Sequence, residues 1–483
     1  MSYVSINFVI LVAAALIVYY IVSVKYRWYI LLLTSLVFYV LAGKAAIVAI
    51  LASSSLTYFL GLLIGKKRSN SYAEESPSKS SRLILIISYL LILLPWIGIR
   101  LLGIPVFRNL FSKEIAILGI SFYTLELVSY ITDIYKGEFE AEKNYLHFIT
   151  YAIFFPKVMQ GPICRYSELA PKLFKAHSFD EKIFTYGFLE VLWGAFLKYV
   201  IADKCRLIVD PVFDNFIVYD GLNLWLALAL FLIVLYTDFL ACVMICKGVS
   251  YMFGIDLFMN FKRPLLATSF REFWQRWHIS LSNWLAKYIY IPLGGSRKGE
   301  ARRLINLLIT FGVSALWHGI NTGFLMWGLL QAVFRMTEEV TSRLFRRKKA
   351  DAPSKSGLSI WLGRLKVCFF YGFSLVFFNL PTAKEGFSYI KYMFNFTGLI
   401  NVKGIGLIQN AMGYKEFAIL LGAILLLLIK GLMNEANFCF KEKIINLPFA
   451  VRLAFYVICI LFIINFGTYG NGFNSADFIY GGF

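Results

Sequence analysis

The chain has 483 residues, of which 59% are hydrophobic and 16% charged, and 48 Lys and Arg against 28 Asp and Glu give a formal charge of +20. Soluble domains carry about 25% charged residues, so this chain has too few charges for a water-facing surface of its size. Its high hydrophobicity excludes intrinsic disorder. We therefore expect an all-α, polytopic membrane protein. Cytoplasmic loops explain the basic excess better than nucleic acid, which we do not expect as a partner.

Apolar stretches recur along the chain and predict roughly 10–13 transmembrane helices. The first stretch follows Met1 without a basic segment or a small-residue cleavage site, so we expect a retained helix. We expect one integral-membrane domain over 1–483. Its parts would be N-terminal helices in 1–140, a motif-bearing core in 141–345 and C-terminal helices in 346–483. The predicted spans lie at about 5–24, 28–42, 45–64, 83–102, 115–134, 183–202, 222–245, 304–320, 323–340, 360–380, 413–433 and 448–467.

Two hydrophilic loops, 66–82 and 343–366, are rich in Lys and Arg. Basic residues are retained on the cytoplasmic side of a membrane, so both loops should be cytoplasmic. Because three predicted spans precede the first loop, the N-terminus should be extracytoplasmic.

The region between about 140 and 300 is apolar but dense in Pro, Gly and aromatic residues. Two of its stretches, FFPKVMQGPICRY at 154–166 and YIYIPLGGSRKG at 288–299, interrupt helices. Irregular backbone at membrane depth is tolerated only where protein or a water-filled cavity covers it. We therefore expect re-entrant or interfacial helices here, arranged around a polar site.

The stretch 270–299 contains His278, one of four histidines. Written as one helix, it places apolar residues on a single face, which predicts an amphipathic helix near a membrane interface. The residues of that face are Phe273, Trp277, Leu281 and Trp284. Arg271 and Arg276 would hold a phosphate or an acidic group by bidentate contacts. The alternative is an interfacial anchor whose arginines meet lipid headgroups.

His318 lies deep in an apolar span at 304–328, where a titratable side chain is expensive and indicates a functional site. A neutral imidazole there would remove a proton from a hydroxyl that attacks a thioester. The alternative is a core histidine bonded to a neighbouring carbonyl. In a straight helix from Leu304, His318 lies about 21 Å along the axis, past mid-membrane.

Asp238 is a second ionisable group within an apolar span. It would orient a histidine, accept from a buried Arg or Lys, or cap a broken helix, and the sequence leaves these readings open. His147 and His177 are expected at the surface. The seven cysteines show no CxxC spacing, and the histidines show no ligand spacing, so we expect neither a disulfide framework nor a metal site.

Several motifs follow one another in a fixed order along the second part of the chain. They are FFPKVMQGPICRY at 154–166, YTDF at 236–239, the stretch 252–299, LWHG at 316–319, Trp327 with Gly328, and FIYGGF at 478–483. Together they resemble the membrane-bound O-acyltransferase family, in its bacterial branch of alginate O-acetylation proteins. Lys157 and Met244 depart from the pattern that we associate with this branch.

The resemblance implies many transmembrane helices around a central tunnel, in which a cytoplasmic acyl donor meets an acceptor from the other side. It implies catalytic roles for His318, as general base or acyl relay, and for His278, which would orient donor or acceptor. Other residues in and near the motifs are assigned to donor or substrate binding, the basic ones from charge alone. They are Arg271, Arg276, Trp277, Asn283, Arg297, Lys298, Asp238 and Trp317.

The resemblance also implies an O-acetyltransferase of the bacterial plasma membrane that serves the O-acetylation of an exported polysaccharide. We expect acetyl-CoA as the donor, no tightly bound cofactor, and an extracytoplasmic polysaccharide-modifying partner protein. One alternative is transfer of D-alanine to teichoic acid, or of another acyl group, by the same fold. The other is a lipid or polymer transporter in which Asp238 and His318 relay protons.

Overall fold

The structure is a computed structural model that describes residues 2–69, 79–102, 118–346, 357–396, 403–469 and 478. Helices make up most of these residues, and no strand occurs among them. The all-α class is therefore confirmed. Residues 70–78 and 347–356 of the two predicted basic loops, and 479–483 of the FIYGGF tail, lie outside the described residues.

The helices of the first half of the chain run as follows. They are α1 (Ile6–Ile21), α2 (Arg27–Ala42), α3 (Lys44–Ser69), α4 (Lys79–Leu102), α5 (Ile120–Lys136), α6 (Tyr145–Ile153), α7 (Tyr166–Leu173), α8 (Glu181–Phe196), α9 (Asp203–Asp214) and α10 (Gly221–Met252). A π-helical turn, Leu197–Ala202, joins α8 to α9 without a break.

The second half begins with two short helices on either side of His278. The helices of this half are α11 (Phe270–Arg276), α12 (Ile279–Leu285), α13 (Glu300–His318), α14 (Thr322–Arg346), α15 (Gly357–Asn379), α16 (Ala383–Met393), α17 (Lys403–Ala411), α18 (Tyr414–Glu435), α19 (Phe440–Ile445) and α20 (Phe449–Phe466).

Eight helical segments of the described chain are long and apolar enough to cross a membrane. They differ in how much protein covers them: the most apolar window of α20 is 11% buried, and that of α10 is 89% buried. An apolar helix without protein cover is stable only against lipid, whereas a helix that is apolar all round and covered lies inside the molecule. The polytopic membrane class is therefore confirmed, with α10 as an internal helix.

The chain divides into two compact units. The first comprises Met1–Trp193, Cys242–Phe258 and Ala476–Phe483, and the second comprises Gly194–Ala241 and Met259–Ser475. Both histidines to which catalytic roles were assigned, His278 and His318, belong to the second unit. The single domain over 1–483 stays a prediction.

In the first unit, the irregular stretch 154–166 is fixed by a buried ion pair. Lys157 Nζ pairs with the Glu126 carboxylate of α5, and both side chains are almost fully buried. The same carboxylate accepts a hydrogen bond from the Cys164 backbone N–H at 3.0 Å. In a helix, this N–H would donate to a backbone carbonyl instead. The predicted interruption of the helix is confirmed. Lys157, which departs from the pattern of the branch, supplies the positive charge of the buried ion pair.

Candidate active site

The chain breaks between α11 and α12 at Trp277 and His278, so the single amphipathic helix predicted over this stretch is wrong. His278 has a left-handed backbone, φ 42° and ψ 55°, which costs a non-glycine residue roughly 1–2 kcal/mol. Asn260 holds the break: its carbonyl accepts from Ile279 N–H at 2.9 Å, and its side-chain oxygen accepts from Ser280 N–H at 3.0 Å. These two bonds replace the helical bonds that the turn gives up.

Trp277, which the helical pattern placed near a membrane interface, is buried among aromatic rings. Its ring centroid lies 5.1 Å from that of Phe261 and 5.3 Å from that of Tyr371. The neighbouring His278 is also buried, and the Phe239 ring meets it edge-on at 4.8 Å. His278 lies outside the candidate membrane-crossing helices. Burial lowers its pKa far below the ordinary value, so its imidazole is neutral at physiological pH.

His318 is the last residue of α13 and is enclosed by aromatic side chains. Its ring centroid lies 5.1 Å from those of Trp327 and Phe378, and the Phe324 ring stacks on it at 5.9 Å. Only 3% of the residue is exposed. The enclosure depends on close packing of α13 against α14, because a Cβ atom at Gly328 would lie 2.7 Å from the Ala315 Cβ atom.

Trp317 contacts both histidines and brings the two predicted catalytic residues into one site. Its ring centroid lies 5.8 Å from that of His278 and 4.9 Å from that of His318. Two further tryptophans join the same cluster: Trp327 contacts His318, and Trp274 lies 6.1 Å from Trp327. Their Nε1 atoms are buried and find no hydrogen-bond acceptor within the described part of the chain. Buried donors of this kind are rare in proteins and indicate an acceptor supplied by something else.

Asp238 accepts from a buried lysine, one of the readings that the sequence left open. Lys198 Nζ lies 2.8 Å from Asp238 Oδ1 and 2.8 Å from Asp203 Oδ1, and all three side chains are inaccessible to solvent. Lys198 lies in the π-helical turn that joins α8 to α9. Sequence reasoning missed this lysine, although a cation in the predicted apolar span 183–202 carries the same signal as Asp238.

Beside Trp277, Asp238 and Trp317, five further residues were predicted to bind donor or substrate, and they separate into three groups. Arg276 is committed to structure, since it pairs with Glu272 at 2.5 Å and with Glu435 at 2.8 Å. Arg271 lines a charged cavity of the second unit. The remaining three are exposed, and none of them lines that cavity: Asn283, Arg297 and Lys298.

Neither of the other two histidines belongs to this cluster. His147 is half-buried and stacks on Phe174 at 4.0 Å, and His177 is half-buried and contacts the Lys172 carbonyl through Nε2 at 2.6 Å. Both lie in the first unit. Among the described residues no group of three His, Cys, Asp or Glu side chains could hold a metal ion.

These features define a polytopic α-helical membrane protein with a buried, aromatic site built on two histidines. Residues 138–381, just over half of the chain, match the family model of the membrane-bound O-acyltransferases. The chain belongs to this family.

Curated relatives match about half of the chain or somewhat more. A probable alginate O-acetylase of Pseudomonas fluorescens is 36% identical over 223 residues, which cover 46% of this chain and 44% of the relative. The peptidoglycan O-acetyltransferase of Helicobacter pylori is 28% identical over 326 residues, covering 62% and 60%. The teichoic acid D-alanyltransferase of Bacillus subtilis is 27% identical over 238 residues, covering 45% and 58%. The match spans less than half the length of the alginate relatives.

Proposed function

We propose that the protein is an O-acetyltransferase that passes an acetyl group from a cytoplasmic donor across the membrane for the O-acetylation of an exported cell-surface polysaccharide. The observation that carries this proposal is the enclosure of His318 by aromatic rings, with His278 reached through Trp317. The similarity to a probable alginate O-acetylase of Pseudomonas and to the peptidoglycan O-acetyltransferase of Helicobacter supports it.

In this proposal the His318 imidazole is the general base. It takes the proton of the acceptor hydroxyl while the hydroxyl oxygen bonds to the acetyl carbonyl carbon of a thioester. The carbon–sulfur bond then breaks, and the proton passes from the imidazolium to the departing sulfur. The aromatic enclosure excludes water, which would otherwise hydrolyse the thioester. The buried N–H groups of Trp274 and Trp327 supply donors for a carbonyl oxygen that gains negative charge.

The donor in this proposal is acetyl-CoA, with no tightly bound cofactor. The acceptor is a hydroxyl presented by an extracytoplasmic, polysaccharide-modifying partner protein. The protein would lie in the bacterial plasma membrane with its N-terminus outside, so that the basic loop 343–366 faces the cytoplasmic donor.

The test is acetyl transfer by the purified protein in lipid nanodiscs, with labelled acetyl-CoA, the partner protein and the polymer. We expect His318→Ala to abolish transfer while its expression and thermal unfolding remain those of the wild type. His147→Ala is the matched control, because this histidine packs against Phe174 in the other unit. Normal acetyl transfer by His318→Ala would overturn the assignment of the base.

A second candidate is transfer of D-alanine, which the Bacillus relative favours. The same nanodiscs, supplied with D-alanine on a carrier protein, separate the two: label from D-alanine and none from acetyl-CoA would replace the acetyl proposal. Movement of lipid or polymer without transfer of either group would identify a transporter.

A further inference from the structure

The short helix α16 presents a mixed stripe of lysine and phenylalanine on its outer side. Lys384, Phe387, Lys391 and Phe394, the last just past the end of the helix, follow one another at intervals of three and four residues, and all four are exposed. Side chains at this spacing lie on one face of a helix. The two phenylalanines are 56% and 61% exposed. Large exposed rings of this kind mark a surface that meets something other than water.

The opposite face of α16 is fixed to the second unit. Tyr389 is fully buried, stacks on Phe213 at 4.7 Å and donates its hydroxyl hydrogen to the Leu224 carbonyl at 2.9 Å. Gly386 lies on the same buried face, where a Cβ atom would approach the Phe377 ring to 2.5 Å. The helix therefore has no room to roll, and its stripe stays on the surface.

Both ends of α16 meet the ends of helices that are long and apolar enough to cross a membrane. The first of these, α15, ends at Asn379, four residues before Ala383. Beyond α16, the Asn395 carbonyl accepts from the N–H of Gly221, the first residue of α10, at 2.9 Å. With 11 residues, α16 is only about 16 Å long. A short helix that joins the end of one span to the start of another lies along the membrane surface, at the depth of the lipid headgroups.

The stripe lies at the His318 end of α13. Ala383 N–H donates to the Thr322 hydroxyl at 3.0 Å, and Thr322 is the first residue of α14, four residues after His318. Arg303, in the lining of the charged cavity, lies towards the other end of α13, about 22 Å from His318 along the axis. The stripe and the cavity are therefore separate surfaces.

The neighbours of the stripe are those of a membrane interface. Ile217 and Val218, in the turn that packs on α16, are 60% and 61% exposed. Trp225, one turn into α10, meets the Phe394 ring edge-on at 6.0 Å. Tryptophan is enriched at headgroup depth, and exposed aliphatic side chains beside it favour acyl chains over a polar partner. These contacts favour a lipid surface as the occupant.

The charge of the stripe selects the kind of lipid. Lys384 and Lys391 are exposed, and neither forms an ion pair with a residue that the structure describes. The neighbouring Glu385 is engaged as a helix cap, since it accepts from the Thr382 backbone N–H at 3.1 Å and from its hydroxyl at 2.8 Å. Lysine stems lie along apolar surface while the ammonium groups reach the phosphates. Two such lysines attract an anionic membrane surface.

We propose that α16 is an interfacial binding site for anionic phospholipid. Lys384 and Lys391 bind the headgroup phosphates, and Phe387 and Phe394 insert between the acyl chains beside them. The inference goes beyond the proposed function and does not depend on it. An acidic protein segment is the other occupant that the charge would fit, and the experiment separates it from lipid.

The experiment uses the purified full chain in phosphatidylcholine nanodiscs that contain a trace of photoreactive phosphatidylglycerol or of photoreactive phosphatidylcholine. After illumination, mass spectrometry locates the labelled peptides. We expect the phosphatidylglycerol probe to label 384–396 more strongly, and unlabelled phosphatidylglycerol to compete with it. Lys384→Gln and Lys391→Gln should each raise the mole fraction at half-competition about fivefold, the attraction of one lysine near an anionic surface.

Lys143→Gln is the matched control. Lys143 is 84% exposed in the first unit, but its partner is Glu140 at 4.0 Å, so its loss should leave the labelling of 384–396 unchanged. Phe387→Ser should weaken labelling by both probes, because it removes apolar contact and keeps the charge. All four substitutions lie at exposed positions, and thermal unfolding like that of the wild type verifies that the variants fold.

Equal labelling of 384–396 by the two probes would overturn the inference, as would labelling that neither lysine variant changes. If both lysine variants also lose an acidic protein that copurifies with the wild type, while their lipid labelling stays normal, the stripe belongs to a protein partner. Acetyl transfer is measured on the same samples. Its absence from a wild type with phosphatidylglycerol-selective labelling would count against the proposed function and leave the lipid site standing.

Discussion

The two ends of the α13 and α14 pair are built from different chemistry. At one end, aromatic rings enclose His318. At the other end, five cations and two carboxylates line an open cavity. A dry site favours proton transfer because water does not compete for the base. A wet, charged site favours capture of an anion because its field acts at a distance. One pair of helices thus carries an aromatic, buried site at one end and a charged cavity at the other.

The largest expected effect on activity comes from a substitution at the His318 end of the helix pair. His318→Gln should lower kcat about 10²–10⁴-fold, the usual contribution of a general base, because an amide cannot accept the hydroxyl proton. Coenzyme A binding should be unchanged, since the charged end is intact. Steady-state kinetics and a binding titration measure the two quantities. A matching loss of binding would show that the two ends do not act separately.

A charge inside the dry protein should matter far more for stability than a charge at the open cavity. Lys198→Met removes the buried cation that pairs with both Asp203 and Asp238, and it should cost about 3–5 kcal/mol of unfolding free energy. Lys366→Met is the comparison. Lys366 is 47% exposed and lies 3.8 Å from Glu338, so its loss should cost less than about 1 kcal/mol. Denaturant unfolding in a defined detergent measures both, and equal losses would contradict the difference in burial.

Gly328 tests the close packing of α13 against α14. The Cβ atom of Gly328→Ala would lie 2.7 Å from Ala315 Cβ and 2.9 Å from the Phe311 carbonyl oxygen. Forcing the helices apart should cost about 1–3 kcal/mol and lower transfer activity. Gly312→Ala on α13 meets nothing within 4 Å. It should be neutral, or stabilising by roughly 0.5–1 kcal/mol through helix propensity. Thermal unfolding of the two variants gives the comparison.

The smallest effect should come from salt, and it should act on the charged end alone. Raising ionic strength from about 0.05 to 0.5 M screens charges at an exposed site, so the KM for the donor should rise severalfold. The rate at saturating donor should stay constant, because the His318 enclosure is dry. A salt-dependent kcat with constant KM would reverse the roles of the two ends.

The sequence singles out the two histidines because their signals are local. His318 stands out as a titratable residue in an apolar span, and LWHG and the stretch around His278 lie within recognisable motifs. The all-α class follows from apolar stretches whose length is set by the bilayer. Neither inference needs knowledge of which distant residues meet.

The features that sequence reasoning missed depend on contacts between distant residues. No Gly or Pro marks the break at His278, because the bonds that replace the helix come from Asn260, nearly twenty residues earlier. Lys198 and Asp238 are forty residues apart. The cavity cations follow the same rule. Arg343 and Lys366 fall in the predicted basic loop 343–366, whose charge membrane orientation already explained, whereas the structure places them in α14 and α15, where both line the cavity.

The length of α13 has a consequence for which donors can react. It fixes the interval between the cations and His318 at about 22 Å, and a helix does not stretch. The helix therefore holds the cavity cations and the imidazole at a constant separation. A molecule bound among the cations would touch His318 only if it were about as long as this interval.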